Sequence, residues 1–260
     1  MFFKKVVRRI LLLFNLSLKR LDSNHQWLLT HNKFNKFISP NTMLSERRLL
    51  NIIESLDYVV KEKVDGVVVE CGVWKGGAMA LAALRMIEIK EEREIHLFDS
   101  FEDICQPDFR VDGDRAIHEV GGILNAQGKL KSTNTYSKLG IGFSNQENVM
   151  KLLSQDIGFK KNLIKIHKGW FQDTLPKASN ISKISILRLD GDWYASTKIC
   201  LDHLYNKVAD GGVIIIDDYF SYDGCKKAVD EFTSKLKQTV ILNKIDEDGI
   251  FWIKGSRGTF

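Results

Sequence analysis

Four aspartates stand where two apolar runs stop. "ILRLDGDWYAST" (186–197) places Asp190 and Asp192 directly after a hydrophobic stretch, and "GGVIIIDD" ends in Asp217 and Asp218. Adjacent parallel strands lie about 4.8 Å apart, so strands ending here bring Asp190, Asp217 and Asp218 to one pocket. Carboxylates packed that closely repel one another and raise each other's pKa values. A divalent cation removes that cost. With oxygen donors only, and no His or Cys nearby in sequence, the set suits Mg²⁺ or a similarly hard cation better than zinc. Taken singly, Asp192 or one member of the second pair fits a helix cap equally well.

Three further stretches carry chemistry-bearing residues at the ends of apolar runs. "VVVECGVWKGGAMA" supplies Glu70 and Gly72, then Gly76 and Gly77, at a turn where absent side chains let a ligand approach the backbone and a helix N-terminus. The spacing is not G-x-G-x-x-G, which argues against a pyrophosphate-binding dinucleotide site. "IHLFDS" ends in Asp99 and Ser100, where an acid pairs with ribose hydroxyls in sheets of this kind; capping the next helix is the plainer role. "HKGWFQDTLP" offers Trp170 and Phe171 beside Gln172 and Asp173, suited to holding a flat heterocycle and bonding its edge. His118 and His167 are alternative bases, although a lone histidine more often serves packing.

The elements that must position these residues follow from periodicity. A helix is expected from Thr42 through "SERRLLNIIESLDYVVKE", on helically spaced apolar positions. Strands are expected at "DGVVVECG", "EIHLFDS", "NLIKIHKGW", "ISILRLD" and "GVIIIDDY". Helices are expected at "GGAMALAALRMIEIKEER", "NQENVMKLLSQDIG", "TKICLDHLYNKVADGG" and "CKKAVDEFTSKLK". Alternation of this kind gives a mostly parallel sheet with helices on both faces. "TVILNKIDEDGIFWIKG" reads as a terminal antiparallel hairpin turning at "DEDG". Residues 103–145 are long, Gly-rich and weakly periodic, and are read as a lid over the strand ends.

Composition narrows the class. Of 260 residues, 44% are hydrophobic and 27% charged, which excludes wholesale disorder. The net charge is +5, but residues 1–20 carry six Lys or Arg and no acid, leaving about −1 on the rest. The body is therefore no platform for nucleic acid. Four dispersed cysteines without a C-x-x-C spacing fit a reduced, cytoplasmic protein. The first twenty residues are too short and too interrupted for a membrane span, and no cleavage site follows. They suit a helix docked on the domain or on a second subunit, so a homo-oligomer is expected; peripheral membrane contact through residues 1–20 stays open.

"VVVECGVWKGGA", "DSFED", "KGWFQDTLP", "LRLDGDWYAST" and "GGVIIIDDY", in that order, resemble the macrocin O-methyltransferase family of S-adenosylmethionine-dependent enzymes. The likeness runs from about Thr42 to Phe232. It implies a class I methyltransferase fold (Rossmann-like) in a domain spanning 42–260, behind an N-terminal helical extension at 1–41. It also implies Mg²⁺ at Asp190, Asp217 and Asp218, with Asp192 as base. The cofactor would lie over Glu70 and Gly72, with ribose on Asp99 and adenine near Gln172 and Asp173. The acceptor implied is a sugar or glycan-like hydroxyl. Two rival readings are a nicotinamide- or nucleotide-sugar-dependent oxidoreductase, which needs the missing glycine fingerprint, and a non-catalytic membrane scaffold, which has no use for the carboxylates.

Overall fold

The computed structural model describes residues 23–102, 104–120 and 145–255. The basic segment 1–20 and most of the lid expected at 103–145 lie outside the described residues.

The chain enters through a helix, α1 (Ser23–Thr30), a π-helical turn (Phe34–Ile38) and a 3₁₀ turn (Ser39–Asn41) before the long helix α2 (Glu46–Lys61). Helix α2 starts at Glu46, four residues later than the spacing suggests, and is capped by Ser45, whose hydroxyl accepts the Arg48 N–H. Proline in "ISPNT" accounts for the delay by favouring a separate turn. Strand β1 (Val67–Cys71) then leads through a glycine turn into α3 (Gly77–Glu88), rich in Ala, Leu and Met. Strand β2 (Ile95–Asp99) follows, then α4 (Gly113–Glu119) and α5 (Gln146–Lys151), which runs on as a π-helical stretch (Leu152–Ile157). After β3 (Ile164–Lys168) come the short α6 (Phe171–Thr174) and β4 (Ile184–Leu189). Helix α7 (Tyr194–Leu204), β5 (Val208–Ile216), α8 (Asp223–Ser234), β6 (Asn243–Lys244) and β7 (Ile250–Ile253) complete the order.

The seven strands run β3-β2-β1-β4-β5-β7-β6; the first five are mutually parallel and β7 pairs antiparallel with both β5 and β6. The expected mostly parallel α/β sheet and its C-terminal antiparallel hairpin are therefore present. Two further boundaries differ: α3 ends at Glu88, short of the expected Arg93, and α7 stops at Leu204, so that "VADGG" belongs to β5 instead of the helix. Val208 already pairs with Ile184, and the register slips before Val213 meets Ile186, so two glycines are accommodated inside the strand.

Hydrophobic layers cover both faces. Helices α2 and α3 close one face over Val68, Ile186 and Ile215; α7 and α8 close the other over Val69, Leu187 and Ile214. Every residue of β4 is buried, which explains why it reads as an apolar run interrupted only by Ser185 and Arg188.

Candidate active site

Strand register builds the site. Glu70 pairs with Arg188 and Leu189 with Ile216, so the next residue, Asp190, falls between Gly72 and Asp217. The ladders continue one step past the strands: Asp190 N–H donates to the Cys71 carbonyl (2.8 Å) and Asp217 N–H to that of Leu189 (2.9 Å). Gly72 has φ +88°, and a Cβ there would lie 1.8 Å from the Asp190 carbonyl oxygen. Only glycine permits that approach.

Beyond these strand ends lies a cavity of about 610 Å³, lined among others by Gly72, Trp74, Asp99, Trp170, Gln172 and Asp192. Met43, from the link into α2, also faces it. Asp99 spends its carboxylate on the β1 loop: Oδ2 accepts the N–H of Val73 (2.6 Å) and Trp74 (3.1 Å), and Oδ1 that of Phe101 (2.7 Å). It shapes the turn as well as facing the cavity. Ser100 also lines it, its hydroxyl accepting the Glu102 N–H. Of the pair after β3, both exposed, Gln172 lines the cavity and Asp173 does not.

The carboxylates occupy two levels. Below the strand ends, Arg188, only 2% exposed, donates to Glu70 Oε1 (2.7 Å) and Asp217 Oδ1 (2.6 Å) and forms an ion pair with Asp190 Oδ2 (3.0 Å). Arg48 in the first turn of α2 holds the other oxygen of Asp217. Burial still pushes Glu70 up to about 8, the Arg188 contact opposing it, and its Oε2 meets no donor among the described residues.

Above this level Asp190, Asp192 and Asp218 each offer an oxygen within 4.8 Å of the others. Among the described residues no guanidinium forms an ion pair with Asp192 or Asp218. Burial pushes both well above the usual carboxylate range, and repulsion from Asp190 adds to it. Asp218 Oδ2 is buried without a donor, and Asp192 has the left-handed backbone (φ +63°) that Asp tolerates better than most residues. An all-carboxylate set with an orphaned buried oxygen fits a hard divalent cation. The three that converge differ by one member from the sequence expectation, since Asp217 lies at the lower level between two arginines.

Neither alternative base reaches this chemistry. His167 stacks on Phe98 (4.1 Å between centroids) and bonds His96 (3.0 Å), and His118 is exposed on α4. Sequence reasoning passed over both arginines. Arg188 had a signal, a lone charge in an apolar run; Arg48 had none, because its partners lie 169 or more residues away.

The strand order and a ligand-sized cavity at the carboxyl ends of the parallel strands define a class I, S-adenosylmethionine-dependent methyltransferase. The model of the macrocin-O-methyltransferase family (TylF) matches residues 36–254. The chain belongs to that family and is an O-methyltransferase. It is 37% identical over 219 residues to demethyldecarbamoylnovobiocin O-methyltransferase of Streptomyces niveus, covering 82% of this chain and 75% of the relative. It is 29% identical to mycinamicin III 3''-O-methyltransferase of Micromonospora griseorubida, covering 82% and 78%. Among solved structures, the O-methyltransferase NovP superposes with a TM-score of 0.66 at 32% identity, covering 82% of each chain. The calicheamicin methyltransferase CalS11, at 17% identity and a TM-score of 0.58, shares the fold.

Proposed function

We propose that this chain methylates a hydroxyl of a sugar on a small molecule, taking the methyl group from S-adenosylmethionine and depending on Mg²⁺. The observation that carries this reading is the convergence of Asp190, Asp192 and Asp218 beside a cavity that the Gly72 turn and Asp99 also line. The sugar is supported by the names of the relatives: one, 31% identical and from Streptomyces olivaceus, is a 4'-O-methyltransferase of a rhamnosyl tetracenomycin.

In this reading Gly72, Asp99 and Ser100 frame the cofactor, and Gln172 bonds the edge of its base; Glu70, expected beside them, is buried on Arg188 and does not line the cavity, and Asp173 would contribute only through the backbone turn. When bound, S-adenosylmethionine supplies an electrophilic methyl group and Mg²⁺ supplies Lewis acidity. Asp190 and Asp218 would hold the cation beside Asp192, and Asp217, fixed between its two arginines, would support them from the layer below. Asp192 accepts the proton of the acceptor hydroxyl at a carboxylate oxygen, which its place among the other carboxylates allows. Fixing hydroxyl and methyl donor at one set of strand ends lowers the entropic cost of the encounter.

Calorimetric titration with S-adenosylhomocysteine, with and without Mg²⁺, on wild type and Asp99→Ala tests the reading. Micromolar binding that weakens in the variant is expected. A folded wild type that binds none overturns it.

A further inference from the structure

The "DEDG" turn of the terminal hairpin does more than reverse the chain. Arg48 uses all three of its guanidinium nitrogens on three carboxylates: Nη1 on Asp217 Oδ2, Nε on Asp246 Oδ2 (3.0 Å) and Nη2 on Asp248 Oδ2 (3.3 Å). The turn is itself braced. Asp246 Oδ1 accepts the N–H groups of Asp248 (3.0 Å) and Gly249 (2.9 Å), and its Oδ2 also takes the Ser45 hydroxyl at the N-cap of α2. Ser221, three residues past Asp218, donates to Asp248 Oδ1 (2.8 Å), and Phe220 N–H donates to the Asp248 carbonyl (2.8 Å). A Cβ at Gly249 would stand 3.3 Å from both Arg48 Cδ and the Asp217 carbonyl oxygen, so the turn presses against arginine and aspartate together.

We propose that Arg48 is a positioning residue, clamped by Asp246 and Asp248, that fixes Asp217 and, through it, the neighbouring Asp218 for cation binding. Two rigid forks, Arg188 on Oδ1 and Arg48 on Oδ2, leave Asp217 one orientation. The hairpin turn sets that orientation from outside the site, because it anchors the guanidinium that does the holding. A lysine in its place has one nitrogen for three carboxylates and cannot reproduce the clamp. This proposal rests on the cation reading above.

The test is Mn²⁺ binding by electron paramagnetic resonance, with S-adenosylhomocysteine affinity measured alongside, on full-length wild type, Arg48→Met, Arg48→Lys and the double variant Asp246→Asn/Asp248→Asn. Outer partners of metal ligands govern affinity by about 10- to 100-fold. Arg48→Met is expected to weaken Mn²⁺ within that range while leaving S-adenosylhomocysteine affinity unchanged. Arg48→Lys and the double variant are expected to fall between it and wild type. If Arg48→Met fails to fold, those two carry the test. Wild-type Mn²⁺ affinity in every folded variant overturns the proposal and reduces Arg48 to a tie between helix and hairpin. A wild type that binds no Mn²⁺ overturns the cation reading first, and this proposal with it.

Discussion

Two layers of carboxylates, stacked at the same strand ends, are treated in opposite ways. In the lower layer Glu70 and Asp217 are almost wholly buried and each touches a guanidinium. In the upper layer Asp192 and Asp218 face Asp190, and no Lys or Arg among the described residues pairs with either of them. Buried charge is costly unless paired, so the lower layer carries its own guanidinium counter-charges, although Glu70 Oε2 meets no donor among the described residues, while the upper layer is complete only with something added. The same residue type builds scaffold in one layer and binding capacity a few ångströms away.

The largest effect should come from breaking the lower layer. Arg188→Met strips Glu70, Asp190 and Asp217 of their shared partner, and a loss of about 3–5 kcal/mol in urea unfolding is expected. A loss under about 1 kcal/mol would show that apolar packing substitutes for the guanidinium.

In the upper layer the effect should fall on chemistry. Asp192→Asn is expected to lower kcat by about 10²–10⁴-fold while cofactor affinity holds, read in a methyl-transfer assay with a sugar acceptor. Retention of wild-type kcat would remove Asp192 as base.

Asp218→Asn sharpens the contrast with a smaller and opposite sign. Removing one of three mutually repelling groups should stabilise the metal-free protein by about 1 kcal/mol, yet abolish any Mg²⁺-induced rise in Tm. A destabilised metal-free variant would place Asp218 in the scaffold layer.

A third titrating pair, away from the strand ends, gives the smallest effect. Burial holds His167 down at about 4 and lowers His96 as well. Between pH 6.5 and about 4 the unfolded chain binds protons that folded His167 resists, so stability falls as pH drops through that window. His167→Phe should flatten this part of the Tm–pH curve, and an unchanged slope would assign it to other groups.

The carboxylates were legible because strand ends announce themselves. A β-branched run followed by Asp gives the residue and its height in the sheet, and parallel order brings such ends together. Their division into two layers was not legible. It depends on Arg188, visible as a charge inside "ISILRLD" but silent about which acids it serves, and on Arg48, whose partners sit at the other end of the chain. The end of α7 was misread because "LYNKVADGG" continues a helical pattern, and only pairing of Val208 with Ile184 decides for strand. Asp173 and Gln172 are neighbours in sequence, but a single turn of helix points one at the cavity and the other at solvent.

Gly72 ties the two sides of the cavity mechanically. Its missing methyl leaves the first loop resting on the backbone of the fourth strand's exit, with no compressible side chain between them. Two surfaces in such contact do not move independently. A displacement of the Asp99-braced loop is delivered, undamped, to Asp190, so this short stretch behaves as a rigid lever joining both walls.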